Sequence, residues 1–208
     1  VSGSDDGSID VWNLASGALI RRWQGERRWR ALVLTPDGTR LISGSEGPAL
    51  LWDFASASIL APIQASRATT VIAISADGRL MMIGGMYDEV TLWDLAGNRS
   101  IVQWHQGNNS WVSAVALTQD GRHAFSADWE GRTKVWDVQT RSQVGQLVGH
   151  GYTKVTAIAV TADGSKVVTA DDHGRIVVHR GVHPNAAHEH IADVVLKVVD
   201  TTGHRVQQ

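Results

Sequence analysis

The chain has no cysteine, which excludes disulfides, thiolate metal sites and a thiol nucleophile together. Proline is scarce, with four residues, and no apolar run approaches the roughly 18 to 20 residues that a membrane-spanning helix needs. A surplus of one charge is also missing. The 208 residues carry 19 Lys plus Arg against 21 Asp plus Glu, a formal net charge of −2, so no bulk field draws the chain toward nucleic acid or an anionic membrane. There is no Gly-x-Ser-x-Gly elbow, no phosphate-binding glycine loop and no dinucleotide fingerprint. No catalytic residue, cofactor or metal is therefore expected. The chain enters a structural pattern directly at Val1, with no basic and apolar leader ahead of it, and is expected to be a piece of a longer protein. A cytoplasmic, intracellular setting fits the lack of cysteine.

What the chain has in quantity is tryptophan, nine residues, and four of them keep a beat. The segments SIDVWN, PALLWD, EVTLWD and RTKVWD place Trp12, Trp52, Trp93 and Trp136 at separations of 40, 41 and 43, and RIVVHR puts His179 another 43 residues on. A second marker runs in phase: TPDG, SADG, TQDG and TADG place Asp37, Asp77, Asp120 and Asp163 about 15 or 16 residues before each aromatic position. Two markers with one period indicate an internal repeat. The units fall at about 1–25, 26–66, 67–107, 108–150 and 151–190, with 191–208 as the start of a further unit or a closing strand.

Each unit reads as strands. Before each Asp-Gly lies a short apolar run, such as Ala31–Leu34, Val71–Ile74, Val115–Leu117 or Ile158–Val160, too short for a stable helix and bounded by turn residues. Asp-Gly supplies the positive φ of a tight hairpin, a second apolar strand follows, then the strand ending in Trp, then a more polar fourth strand such as Ala18–Trp23. Near-continuous apolar character in the first three strands implies sheets covered on both faces, and the sheets must stack on one another to achieve that. Trp23 and Trp104 share an apolar position of the fourth strand and read as core.

These residues resemble the WD-repeat (WD40) β-propeller family, the best matches being Ser2-Gly3-Ser4, Asp6 and Trp12, then Thr35-Pro36-Asp37-Gly38, Ser43-Gly44-Ser45 and Trp52-Asp53. The resemblance implies an all-β fold of four-stranded antiparallel blades, about five here, forming a segment of a larger, seven-bladed propeller. Closure of a five-bladed ring by the apolar segment 194–199 is the alternative. The family's buried set joins a Gly-His histidine, a Ser or Thr, an Asp and the Trp. Only His150 follows glycine in the expected place, its own unit has His179 instead of Trp, and Asp6, Glu46, Tyr87, Glu130 and His173 stand six residues before the aromatic, at the usual Asp position. A half-satisfied network is expected to tie these blades together less rigidly.

By the same resemblance, the loops entering each first strand and preceding each Trp strand share one rim, which would collect Arg27, Arg28, Trp29, Tyr87, Trp111, Trp129, Tyr152 and His173. Aromatic and arginine side chains carry much interface energy when desolvated, so a protein or peptide partner is expected there, with packing between blades as the plainer alternative. Two other readings stand beside it. Residues 21–30 hold five arginines and two tryptophans and would suit nucleic acid or a phosphorylated ligand, unless they form a solvated edge strand. Asp5, Asp6, Asp171 and Asp172 would supply carboxylate pairs if the chain were a five-bladed hydrolase, unless they merely hold turns. His183, His188 and His190 lack helical metal-binding spacing and read as a polar loop. The leading expectation is a non-catalytic interaction scaffold or ligand-sensing module of a multidomain signalling protein.

Overall fold

A computed structural model describes residues 1–25, 28–107 and 109–180, and the backbone of 194–195. The described residues form strands and turns without helix, arranged as five antiparallel sheets. The first sheet has three strands, β1 (Ser2–Gly3), β2 (Ser8–Trp12) and β3 (Leu19–Gln24). The second contains β4 (Ala31–Leu34), β5 (Arg40–Ser45), β6 (Gly47–Asp53) and β7 (Ser58–Ile63). The third contains β8 (Thr69–Ile74), β9 (Leu80–Gly85), β10 (Glu89–Asp94) and β11 (Arg99–His105). The fourth contains β12 (Val112–Leu117), β13 (His123–Asp128), β14 (Thr133–Asp137) and β15 (Ser142–Leu147). The fifth contains β16 (Val155–Val160), β17 (Lys166–Asp171), β18 (Ile176–Arg180) and β19 (Val194–Val195).

Every sheet is a simple meander, because the short turns between consecutive strands leave no room for a crossover. The Asp-Gly turns behave as expected, with Gly38, Gly78, Gly121 and Gly164 at φ of 67 to 71°. The register slips by one residue immediately before Trp12, Trp52, Trp93 and Trp136, a bulge repeated in four sheets.

Neighbouring sheets pack through the tryptophans. Trp52 of the second sheet sits on Ile9 and Trp23 of the first, Trp93 on Ile42, Leu51 and Ile63 of the second, and Trp136 on Val90, Leu92 and Trp104 of the third. The rings of Trp104 and Trp136 stack at 4.9 Å and 11°, those of Trp23 and Trp52 at 6.3 Å and 26°. Trp23 and Trp104 are core residues. A buried indole removes about 150 to 250 Å² from water, on the order of 4 to 6 kcal/mol before entropy is counted.

A finer latch joins the inner strands. The Thr70 hydroxyl donates to Gly84 O of its own sheet at 3.0 Å and to Val112 O of the next sheet at 2.9 Å. Ser113, 43 residues on, repeats the pattern with Ala127 O and Val155 O. Thr156, another 43 on, donates to Ala170 O and is exposed.

Two placements differ from expectation. Trp12 is 40% exposed, against 7, 6 and 4% for Trp52, Trp93 and Trp136, because no described sheet covers that face of the first sheet. Val194–Val195 pairs with β18 as the outer, fourth strand of the fifth sheet, not as an inner strand, and the rest of 191–208 lies outside the described residues.

Candidate functional site

The polar network that ties a Trp to its sheet can be followed unit by unit. Trp136 Nε1–H donates to Ser126 Oγ at 2.8 Å, and that hydroxyl donates to Gln106 Oε1 at 2.6 Å. In the fifth sheet His179 Nε2 lies 3.1 Å from Thr169 Oγ1, Thr169 Oγ1 lies 2.7 Å from His150 Nε2, and His150 Nδ1 lies 2.8 Å from Asp171 Oδ2. Burial alone would raise the Asp171 carboxyl, but the His150 hydrogen bond and the turn amides outweigh it and hold it below the usual range. An ionised Asp171 requires a proton on His150 Nδ1. The Thr169 hydroxyl then donates to His150 Nε2 and accepts from His179 Nε2–H. His179 thus reproduces the indole N–H of a tryptophan.

These findings correct the expectation of loosely tied blades in the last two units. The carboxylates that hold the turns are Asp128 and Asp171, eight residues before the aromatic rather than six. Oδ1 of Asp128 accepts the amides of Glu130 and Arg132, and Oδ1 of Asp171 accepts those of His173 and Arg175. Gln106 takes the histidine's place in the fourth sheet. The expectation holds in the third sheet, where the register-equivalent residue is Ile83 and Trp93 Nε1 has no hydrogen-bond partner among the described residues.

The Asp-Gly aspartates make hydrogen bonds within their own turns. Asp37, Asp77, Asp120 and Asp163 each accept the hydroxyl two residues before them, at 2.5 to 2.6 Å, and the amide two residues after, at 3.0 to 3.1 Å. The Thr35 and Thr161 hydroxyls chiefly hold Asp37 and Asp163 down to about 2.

At the opposite ends of the strands, the five sheets share one open cavity of about 350 Å³. Asp5 from the first sheet, Trp29 and Arg30 before the second, Thr70 from the third, Trp111, Ser113 and Trp129 from the fourth, and Lys154 and Thr156 from the fifth line it. Asp128 fixes the turn that carries Trp129, and Gly131 in that turn, at φ 83°, lies so close to Gly151 O that an added Cβ would approach it to 2.3 Å. Trp129 N–H donates to Trp111 O at 3.2 Å, and the two rings meet at 4.7 Å with a 52° tilt. Lys154 Nζ stands 4.2 Å from the Trp129 ring centroid. Met86 N to Ala68 O and Asp172 N to Lys154 O repeat the same backbone bond in the third and fifth sheets, so the aromatic pair belongs to the fourth alone among these three. Lys154, 43 residues after Trp111, was legible from the repeat phase but was missed.

The expected rim residues divide. Trp111 and Trp129 meet at the cavity, and Trp129 is 44% exposed. Trp29 walls the cavity but is 7% exposed, its Nε1–H donating to Gly7 O at 2.7 Å and its ring edge-on to Trp52, so it is a packing residue rather than a presented contact. Arg28 pairs with Asp5 at 2.8 Å. Tyr87, Tyr152 and His173 are exposed away from the cavity lining, and Arg27 lies outside the described residues.

The other readings lose support. Arg22 is bidentate to Asp10, Arg30 pairs with Glu46, and Arg21 donates to Ala55 O while stacking on Trp23, so the described arginines of residues 21–30 already have partners. Asp5 is ion-paired, Asp6 accepts the Ser8 amide and Asp171 serves the buried network, and the hydrogen bonds to Asp6 and Asp171 hold those two carboxyls below the usual range, opposite to the raised pKa of a general acid. No cluster of three or more metal-ligating side chains occurs among the described residues, and His183, His188 and His190 lie outside them. No helix of the described residues is long and apolar enough to cross a membrane.

The family model for the WD domain, G-beta repeat, matches residues 99–137 and 141–180. Each match begins at the outer strand of one sheet and ends on the third strand of the next, β11 to β14 and β15 to β18, so the sequence repeat straddles two sheets. This match shows WD repeats at residues 99–137 and 141–180, and the in-phase tryptophans, the Asp-Gly turns and the antiparallel sheets carry the same repeat pattern through the other units, which supports the WD-repeat family.

Proposed function

We propose that the chain is a non-catalytic protein-interaction module whose partner, a protein or peptide, enters the shared cavity and contacts Trp111 and Trp129. WD repeats generally act as protein-interaction scaffolds. The observation that carries the reading is the Trp111–Trp129 pair, held at the mouth of an open cavity where no core is available to hide it. Tyr87, Tyr152, Arg28 and His173 form a wider rim that adds contacts around this centre, and Arg27 belongs to the same segment.

The five sheets are blades of a larger, seven-bladed propeller in a multidomain, intracellular signalling protein. Exposure of Trp12 and of Thr156, Ala157 and Ala159 on β16 supports this, because the corresponding positions between the other sheets are covered. Selection of a peptide-display library on the chain, repeated with Trp111→Ala/Trp129→Ala, tests the interaction reading. Selected peptides should bind the double variant at least about tenfold more weakly while its unfolding midpoint stays near the parent's. Equal binding would remove the cavity from the function.

A further inference from the structure

The shared cavity carries more information than its aromatic pair. Its charged lining groups are Asp5, Arg30 and Lys154. Asp5 is neutralised by Arg28 at 2.8 Å and Arg30 by Glu46 at 2.7 Å. Lys154 has no ion-pair partner among the described residues, and what holds its ammonium is the face of Trp129 at 4.2 Å. The hydroxyls of Ser113 and Thr70 point along the wall into backbone carbonyls and have no hydrogen left for a ligand.

We infer that the cavity is a subsite for a carboxylate side chain of the partner, Asp or Glu, which pairs with Lys154 Nζ while a flanking apolar group lies against Trp111. This rests on the interaction reading above and adds the partner's chemistry to it. An incoming cation would have to evict Lys154 from the indole and would meet its charge. An anion meets an ammonium already positioned, which is the part of a charge-assisted hydrogen bond that otherwise costs side-chain entropy. A phosphate suits the site less well, because its charge of −1.5 to −2 calls for several cations or a bidentate guanidinium, and Arg30 is engaged by Glu46. The partner's approach also removes water from Lys154, strengthening the pair relative to one on open surface.

The test uses immobilised, end-capped nonapeptide pools whose fifth residue is Glu, Gln, Lys or phosphoserine and whose other positions are randomised, probed with the labelled chain. The Glu pool should be retained over the Gln pool by about tenfold, and Lys154→Met should abolish that preference. Trp111→Ala/Trp129→Ala should lose binding to every pool. Retention of the Lys pool above Glu would mean that the indole pair holds a ligand cation in place of Lys154 and would overturn the inference, as would preference for phosphoserine. Binding without charge preference would overturn this inference alone, and binding of no pool would overturn the interaction reading as well. Thermal unfolding of Lys154→Met should match the parent, since the residue is partly exposed.

Discussion

Trp93 and Trp136 occupy register-equivalent places on β10 and β14, both buried against the preceding sheet, yet the Trp136 indole N–H is paired and that of Trp93 has no partner among the described residues. Replacing either with Phe removes the same volume and the same donor. At 136 the change also breaks a hydrogen bond to Ser126, whereas at 93 it deletes a buried donor that had no described partner. A buried hydrogen bond contributes about 0.5–1.5 kcal/mol and an unsatisfied buried donor costs about 1–3 kcal/mol. We therefore expect Trp136→Phe to destabilise the chain by about 2 kcal/mol more than Trp93→Phe. For a chain of this length that separates the melting midpoints by roughly 4 to 8 °C. Urea unfolding followed by far-UV circular dichroism reads the difference, and a double-mutant cycle with Ser126→Ala isolates the hydrogen bond, since Trp136→Phe should cost about 1 kcal/mol less in that background. Equal destabilisation at 93 and 136, within about 0.5 kcal/mol, would refute the reasoning.

The remaining expectations follow the same geometry. Thr169→Val keeps the shape but breaks the relay between His179 and His150, and should cost about 2 to 4 kcal/mol in urea unfolding because two buried groups lose a partner. Gly131→Ala forces a Cβ against Gly151 O at a positive φ, and should cost about 1 to 3 kcal/mol and disturb the Trp129 turn, visible as altered near-UV dichroism. The Asp37 and Asp163 carboxyls sit at about 2 when folded, below their unfolded value of about 3.9, so their contribution is complete above pH 4 and is lost as pH falls toward 2. The urea midpoint should decline across that window, and Asp37→Asn/Asp163→Asn should flatten the decline.

The fold was legible because its determinants are local and periodic. A tryptophan every 40 to 43 residues, an Asp-Gly turn in phase with it and apolar runs of strand length need no knowledge of distant contacts. The buried network was less legible, because it depends on which atoms meet across strands rather than on residue type. Gln106 can stand for a histidine and His179 for an indole only because each places one acceptor or donor where the hydroxyl of Ser126 or Thr169 reaches it. Counting six residues back from the aromatic missed Asp128 and Asp171, since the turn geometry of the last two units moves the carboxylate by two positions. At the rim, sequence placed Trp29 beside Trp111 and Trp129 as an equal, but its side chain turns inward onto Trp52, which no spacing reveals. Lys154 lacked a local signature and becomes meaningful only beside Trp129.

A crystal structure of the chain with a peptide from the display selection is the most direct measurement. We expect the peptide against the Trp111–Trp129 pair, within reach of Lys154, at the ends of the inner strands. A peptide bound instead at the Asp-Gly turns around Asp37 and Asp77, or along the open faces of the first or fifth sheet, would contradict the assignment.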